Sequence, residues 1–131
     1  GSAFAEPLFP EICAGYAEQV VKQRHLRAAT AHPALGPMPA GQVFKHEYAD
    51  HLTIRQGPQG VVVLVNRQDA PVMIVGEHGR GRVVYTGQIF GVTPLGRMDE
   101  AQGQEWRLLY HMVRWVGGAG TAPRTQTSGA D

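Results

Sequence analysis

The fold of this chain is decided by residues 61–87, which read VVVLVNRQDAPVMIVGEHGRGRVVYTG. Two continuous apolar and β-branched runs, 61–66 and 71–75, are typical of strands that are covered on both faces. Gly79 and Gly81 permit the positive φ angles of a tight connection, after which residues 82–87 return as a third strand. The sequence therefore predicts a three-stranded antiparallel meander over 61–87.

The segments before this meander predict two short strands, a loop and an N-terminal helix. Residues 42–46 and 51–55 alternate between polar and apolar side chains, as strands with one buried face do. Three prolines between 30 and 42 forbid a helix there and favour an ordered loop. Between 10 and 29, apolar residues recur at helical spacing, so we expect a helix there.

After the meander, a second helix is expected from about 99 to 116, with Asp99 as its N-cap and Gly117-Gly118 at its end. Its apolar residues form two stripes, which are Trp106, Leu109, Val113 and Val116, and then Leu108, Met112 and Trp115. A helix that is apolar around so much of its girth needs cover on two sides. The pattern therefore predicts a homo-oligomer or a partner chain.

Composition bounds the class of protein. The chain has 131 residues, a length typical of one domain, and 43% of them are hydrophobic. A net charge of +1 removes the electrostatic argument for binding nucleic acid. One cysteine excludes an internal disulfide, and the longest apolar run, 61–65, is too short to insert into a membrane.

We assign the predicted domain to residues 1–118, of which the first two differ in origin, and a tail follows it. Gly1-Ser2 is typical of a tag-cleavage scar, and no basic or apolar signal segment follows it. Residues 119–131 are rich in Gly, Thr, Ser and Pro, which predicts a disordered tail or linker. We expect a soluble chain, and its compartment stays open.

Cys13 is the candidate nucleophile. It stands in Ile12-Cys-Ala-Gly-Tyr16, near the start of the predicted N-terminal helix, where a helix dipole lowers the pKa of a thiol. His32 is the nearest candidate base. Pro33 holds it in an extended conformation, which would fix its position. The favoured alternative for Cys13 is a buried helix cysteine.

His46, Glu47, Tyr48 and His78 are the candidate binding residues. The segment from His46 to His51 has a superficial likeness to the zinc motif H-E-x-x-H, but its histidines stand five positions apart and cannot share a helix face. A solvated polar edge is the favoured interpretation, so no metal or other cofactor is predicted. The glycines around His78 fit a hairpin turn better than a nucleotide loop, which would carry Lys-Ser/Thr.

Several short motifs occur in the order found in one known family. They are His32-Pro-Ala-Leu35, His46-Glu-Tyr48, the strands 61–66 and 70–75, Gly79-Arg-Gly-Arg-Val-Val-Tyr85 and a tryptophan-bearing last helix. This order resembles the C-terminal half of class I glutamine amidotransferase-like domains, in particular the ThuA-like (trehalose-utilisation) branch. The resemblance covers about residues 30–118. It implies an α/β, flavodoxin-like fragment in which the meander packs against the N- and C-terminal helices.

Three functions follow from these expectations. The first is a non-catalytic accessory or interaction module, which the resemblance links to carbohydrate metabolism, since ThuA-like members often lack the catalytic triad. The second is a cysteine-dependent amide hydrolase that uses Cys13 and His32. The third is a carbohydrate-binding module that stacks a sugar on Tyr85, Trp106 or Trp115.

Overall fold

The computed structural model describes residues 6–91 and 103–118. Within these ranges the chain forms seven strands, one short 3-10 helix and one α-helix. Their bounds are β1 Cys13–Val20, β2 His25–Ala28, the 3-10 helix Pro33–Leu35, β3 Val43–Lys45, β4 His51–Gln56, β5 Val61–Val65, β6 Pro71–His78, β7 Gly81–Thr86 and α1 Gly103–Val116. No helix in this part of the chain has the length and apolar character needed to cross a membrane.

Five strands form an antiparallel sheet in the order β3-β2-β5-β6-β7. The predicted meander is confirmed, since β5 pairs with β6 and β6 pairs with β7. The turn between β6 and β7 places Gly79 at a φ of 58°, a conformation that costs a glycine little because it has no Cβ. The expected strands 42–46 and 51–55 are also present, as β3 and β4.

The predicted N-terminal helix is wrong, because residues 13–20 form β1, which pairs with β4. The register shifts between Cys13 and Gly15 and again between Tyr16 and Glu18. Each bulge adds one residue to the strand and breaks the alternation of side chains between its two faces. The apolar residues therefore fall at a spacing that resembles a helix, although the backbone is extended.

The α/β, flavodoxin-like fold class is wrong as well. That architecture needs parallel strands joined by helical crossovers, whereas every strand pair in the described residues is antiparallel. The connections from β5 to β7 are short, and a short connection between paired strands can join only antiparallel neighbours. The chain is mainly β, with two antiparallel sheets and one α-helix in its described part.

The C-terminal helix is present over the described part of its predicted range. Its inner face buries Leu108, Met112 and Trp115 in the same core as Phe44 of β3 and Leu35 of the 3-10 helix. After Val116 the N–H groups of the next two glycines donate to carbonyl oxygens of the last turn, which ends the helix there. Asp99, the expected N-cap, and the predicted tail 119–131 lie outside the described residues.

Gly87 joins the two sheets. Its N–H donates to Val72 O at 2.8 Å, and its carbonyl accepts the N–H of Leu52 in β4 at 2.8 Å. A Cβ on Gly87 would stand 1.8 Å from the Leu52 carbonyl oxygen, so the two backbones approach more closely than any other residue permits. This contact positions β4, and with it β1, against the larger sheet.

We expect Gly87→Ala to lower the free energy of unfolding by about 2 kcal/mol or more, because the new methyl group would collide with backbone rather than with a movable side chain. Gly81→Ala is the matched control, since its Cβ would meet nothing closer than His78 O at 3.4 Å. Urea denaturation of both variants measures the difference. Equal losses in the two variants would contradict the role of this contact.

Candidate functional site

Cys13 is the first residue of β1, and its side chain is buried, with 2% of the residue exposed. Its thiol lies 3.7 Å from the carbonyl oxygen of Gly15. Because Cys13 begins a strand, no helix dipole acts on it there, and the strand-to-helix turn of a nucleophile elbow is absent. Of the alternative, a buried helix cysteine, the structure shows the burial but places the residue in a strand.

His32 caps the 3-10 helix. Its Nδ1 accepts the N–H of Ala34 at 3.1 Å, and its ring lies edge-on to Trp115 with centroids 4.9 Å apart. Burial lowers the pKa of His32, and the positive charge of Arg82 lowers it further. Among the described residues no hydrogen bond joins His32 to Cys13, so their pairing as base and nucleophile has no contact to support it.

We expect Cys13 in the folded protein to react with iodoacetamide far more slowly than free cysteine at pH 7, because burial denies the reagent access. Unfolding the chain in guanidinium chloride should restore the rate to that of free cysteine. Mass spectrometry of time points measures both rates. Labelling of the folded chain at the rate of free cysteine would revive Cys13 as a nucleophile.

The four candidate binding residues lie in two parts of the fold, with His46, Glu47 and Tyr48 after β3 and His78 at the end of β6. His46 is buried, whereas Glu47 and Tyr48 are half-buried, and Glu47 forms an ion pair with Arg24 at 3.7 Å. His78 lies at the end of β6, is 58% exposed, and its Nδ1 lies 2.7 Å from the Glu11 carboxylate. This hydrogen bond to His78 lowers the pKa of Glu11. The structure does not bring His78 together with the other three.

Glu105, which the sequence analysis did not select, is the partner of His46. The His46 Nδ1 and a Glu105 carboxylate oxygen lie 3.2 Å apart, and both side chains are 1% exposed. The other Glu105 oxygen accepts the N–H of Gly91 at 2.8 Å. A signal for Glu105 existed in the helix pattern, because position 105 lies on the same helix face as the buried Leu108 and Met112.

The 3.2 Å contact between His46 and Glu105 brings the two groups close without the angles of a hydrogen bond. Burial is the main influence on both: it lowers the pKa of His46 to about 4 and raises the pKa of Glu105. The Ile89 backbone and the Gly91 N–H act in the opposite direction and are weaker. Burial therefore favours the neutral form of both side chains.

This pair makes stability depend on pH. In the unfolded chain His46 takes up a proton as the pH falls through 6.5, whereas the folded chain resists until about 4. The contribution of His46 to stability is therefore complete above pH 6.5 and is lost as the pH falls toward 4, by about 3 kcal/mol in total.

We expect wild type to lose about 3 kcal/mol of unfolding free energy relative to His46→Gln as the pH falls from 7 to 4. The reason is that glutamine does not titrate. Denaturation curves at pH 7, 5 and 4 measure the difference, and titration of Glu105, which both proteins share, largely cancels from it. A difference that stays constant with pH would contradict the burial of a neutral His46.

The outer face of α1 carries an exposed apolar surface, which we call the helix stripe. Trp106 is 52%, Tyr110 is 42% and Val113 is 63% exposed. These residues stand three or four positions apart and therefore lie along one side of the helix. The remaining members of the stripe are Leu109 and Val116. Of the two predicted apolar stripes, the fold covers Leu108, Met112 and Trp115. It leaves the other stripe exposed except for the half-buried Leu109, and Tyr110 extends that exposed surface.

A groove lies between α1 and the loop after the 3-10 helix, with a volume of about 190 Å³. Its apolar lining includes Leu35, Phe44 and Leu108, which are at most 2% exposed. Polar side chains also line it, and they are Gln42, Gln104, Arg107 and His111. Among the described residues that line the groove none is acidic, and they present apolar surface beside an arginine, a histidine and two amide groups.

The histidines do not form a metal centre in the described ranges 6–91 and 103–118, where no three His, Cys, Asp or Glu side chains stand close enough to hold an ion. His51, the second histidine of the H-E-like segment, lies instead 3.2 Å from the amide nitrogen of Asn66. Burial lowers the pKa of His51, which suits an imidazole nitrogen that accepts this hydrogen bond.

Comparisons with protein families, with characterised proteins and with solved structures found no match to this chain. The exposed face of α1 and the groove beside it are therefore the features on which a proposed function rests.

Proposed function

We propose that the chain is a non-catalytic interaction module whose helix stripe binds an amphipathic, acidic helix of a partner protein. The observation that carries the proposal is the exposure of Trp106, Tyr110 and Val113 along one side of α1. Exposed aromatic residues of this kind are typical of interface centres, where they supply most of the binding energy.

The charge around the helix stripe favours an acidic partner. Arg107 and Arg114 flank it on one side, and both are exposed. Glu105, the acid of α1, is buried and cannot balance them at the surface. A partner helix with apolar residues at the same spacing and carboxylates along one edge would match both features.

The same charges disfavour a second copy of this chain as the occupant. In an antiparallel two-fold pair of α1 helices, each flank faces the same flank of the other helix. Arg107 would then approach the other copy's Arg114, and like charges at that distance repel. A different protein chain is therefore favoured over a second copy of this chain as the partner of the helix stripe.

The test uses two synthetic peptides of the same length as α1. Both carry leucine at positions i, i+3, i+4 and i+7, and one has glutamate while the other has lysine beside the leucines. We expect the acidic peptide to change the fluorescence of Trp106, and the basic peptide to bind more weakly by about tenfold or more. Trp106→Phe identifies the contribution of Trp106, since Trp115 is also fluorescent.

We expect Val113→Asp to abolish binding of the acidic peptide, because it places a carboxylate in the centre of the stripe. Val21→Asp is the matched control, since Val21 is 55% exposed but belongs to the connection between β1 and β2. Calorimetric titration measures both affinities. Equal binding of the two peptides, or equal losses in the two variants, would overturn the proposal.

A carbohydrate ligand is the second candidate, because Trp106 presents an exposed ring that a sugar could stack on. The neighbouring ring of Tyr110 is inclined to it by 50°, so the two do not form one flat platform. A glycan that changes the fluorescence of wild type but not of Trp106→Phe would favour this candidate. Binding of the acidic peptide alone would favour the protein partner.

A further inference from the structure

We propose that the groove between α1 and residues 35–42 is a separate binding site for a small apolar group that carries a carboxylate. The ligand class is an aromatic or branched monocarboxylate, either as a free acid or as the C-terminal residue of a peptide. The apolar lining would take the ring or branched chain, and Arg107 would bind the carboxylate.

The size of the groove sets the size of the ligand. Its volume is about 190 Å³, and an apolar cavity of about 150 Å³ is large enough to bind benzene. Sites for drug-sized ligands are larger, from about 300 Å³ upward. One six-membered ring with a short substituent therefore fits, and a larger ligand would project into solvent.

The apolar lining selects against fully polar ligands. Phe44 is 0% and Leu35 and Leu108 are each 2% exposed, so they form the closed floor of the groove. Its accessible apolar surface comes from the exposed Pro37 and the half-buried Met38. A sulfate, a phosphate or a free sugar could bond to the polar side chains of the groove but would lose hydration against its apolar part without a hydrogen bond in return. An apolar group gains by displacing water there.

Arg107 supplies the charge that a carboxylate needs. It forms no ion pair among the described residues, and its planar guanidinium can bind both oxygens of a carboxylate at once. Two acids of the described residues are already engaged elsewhere, because Glu105 is buried beside His46 and Glu47 pairs with Arg24. An anion at the groove therefore meets an arginine that has no acidic partner within residues 6–91 and 103–118.

The His111 side chain, one helical turn after Arg107 on α1, is held in place before any ligand binds. Gly36 ends the 3-10 helix at a φ of 65°, and a Cβ there would stand 2.3 Å from the His111 ring. The ring thus packs directly on the glycine backbone, and Tyr110 contacts it edge-on at a centroid distance of 5.3 Å. A site held in place in this way loses little entropy when a ligand enters it.

The test follows the methyl signal of Met38, which lines the groove, by NMR while ligand is added. The three probes are phenylacetate, its neutral counterpart phenylacetamide, and acetate, which lacks the ring. We expect phenylacetate to shift the Met38 signal, and phenylacetamide to bind about tenfold more weakly, because it has no charge for Arg107. Acetate should leave the signal unchanged at the same concentration.

Arg107→Gln should weaken phenylacetate binding by about tenfold, and Arg55→Gln, an exposed arginine on β4, should leave it unchanged. A peptide that ends in phenylalanine, with a free or an amidated C-terminus, distinguishes a peptide ligand from a free acid. The site is refuted by equal binding of phenylacetate and phenylacetamide, by equal effects of the two variants, or by no shift of Met38. None of these titrations contains the acidic helix, so their outcome does not depend on the partner proposed for the helix stripe.

Discussion

The burial of Glu105 determines where α1 lies, and both outer surfaces of α1 depend on that position. A carboxylate in the first turn of the helix accepts the Gly91 N–H and contacts His46, which follows β3. At the other end, Arg82 of β7 donates to the Trp115 carbonyl oxygen at 2.8 Å and lies over the Trp115 ring. Polar contacts at both ends therefore fix the rotation of α1 about its own axis, which apolar packing alone would specify less sharply.

That rotation separates the functions of the helix faces. Leu108, Met112 and Trp115 are turned into the core, so Trp106, Tyr110 and Val113 are left on the outside. Arg107 and Arg114 lie between this stripe and the groove. One short helix thus offers the helix stripe to a protein partner and one side of the groove to a small ligand. Arg107 lies beside both surfaces.

Local pattern was a reliable guide where local forces decide the structure. The meander over 61–87 needs only β-branched runs and a glycine turn, and both are visible in the sequence. The helix predicted over residues 10–29 was wrong because two bulges in β1 disturb the side-chain alternation that identifies a strand. A bulge arises from the pairing of β1 with β4, which local sequence does not show. The flavodoxin-like expectation failed with that prediction, since it required a helix at this end of the chain.

The sequence by itself determined that this chain has one cysteine, a balanced charge, a β-meander and a final helix with two apolar stripes. Only the tertiary structure decided which stripe is covered, because that choice depends on the ends of α1 being held by residues far away in sequence, Gly91 and Arg82. Tertiary contacts also made Cys13 a buried strand residue, through the pairing of β1 with β4. Side-chain roles of this kind depend on neighbours that the folded backbone brings together, so they cannot be read from the neighbouring residues in the sequence.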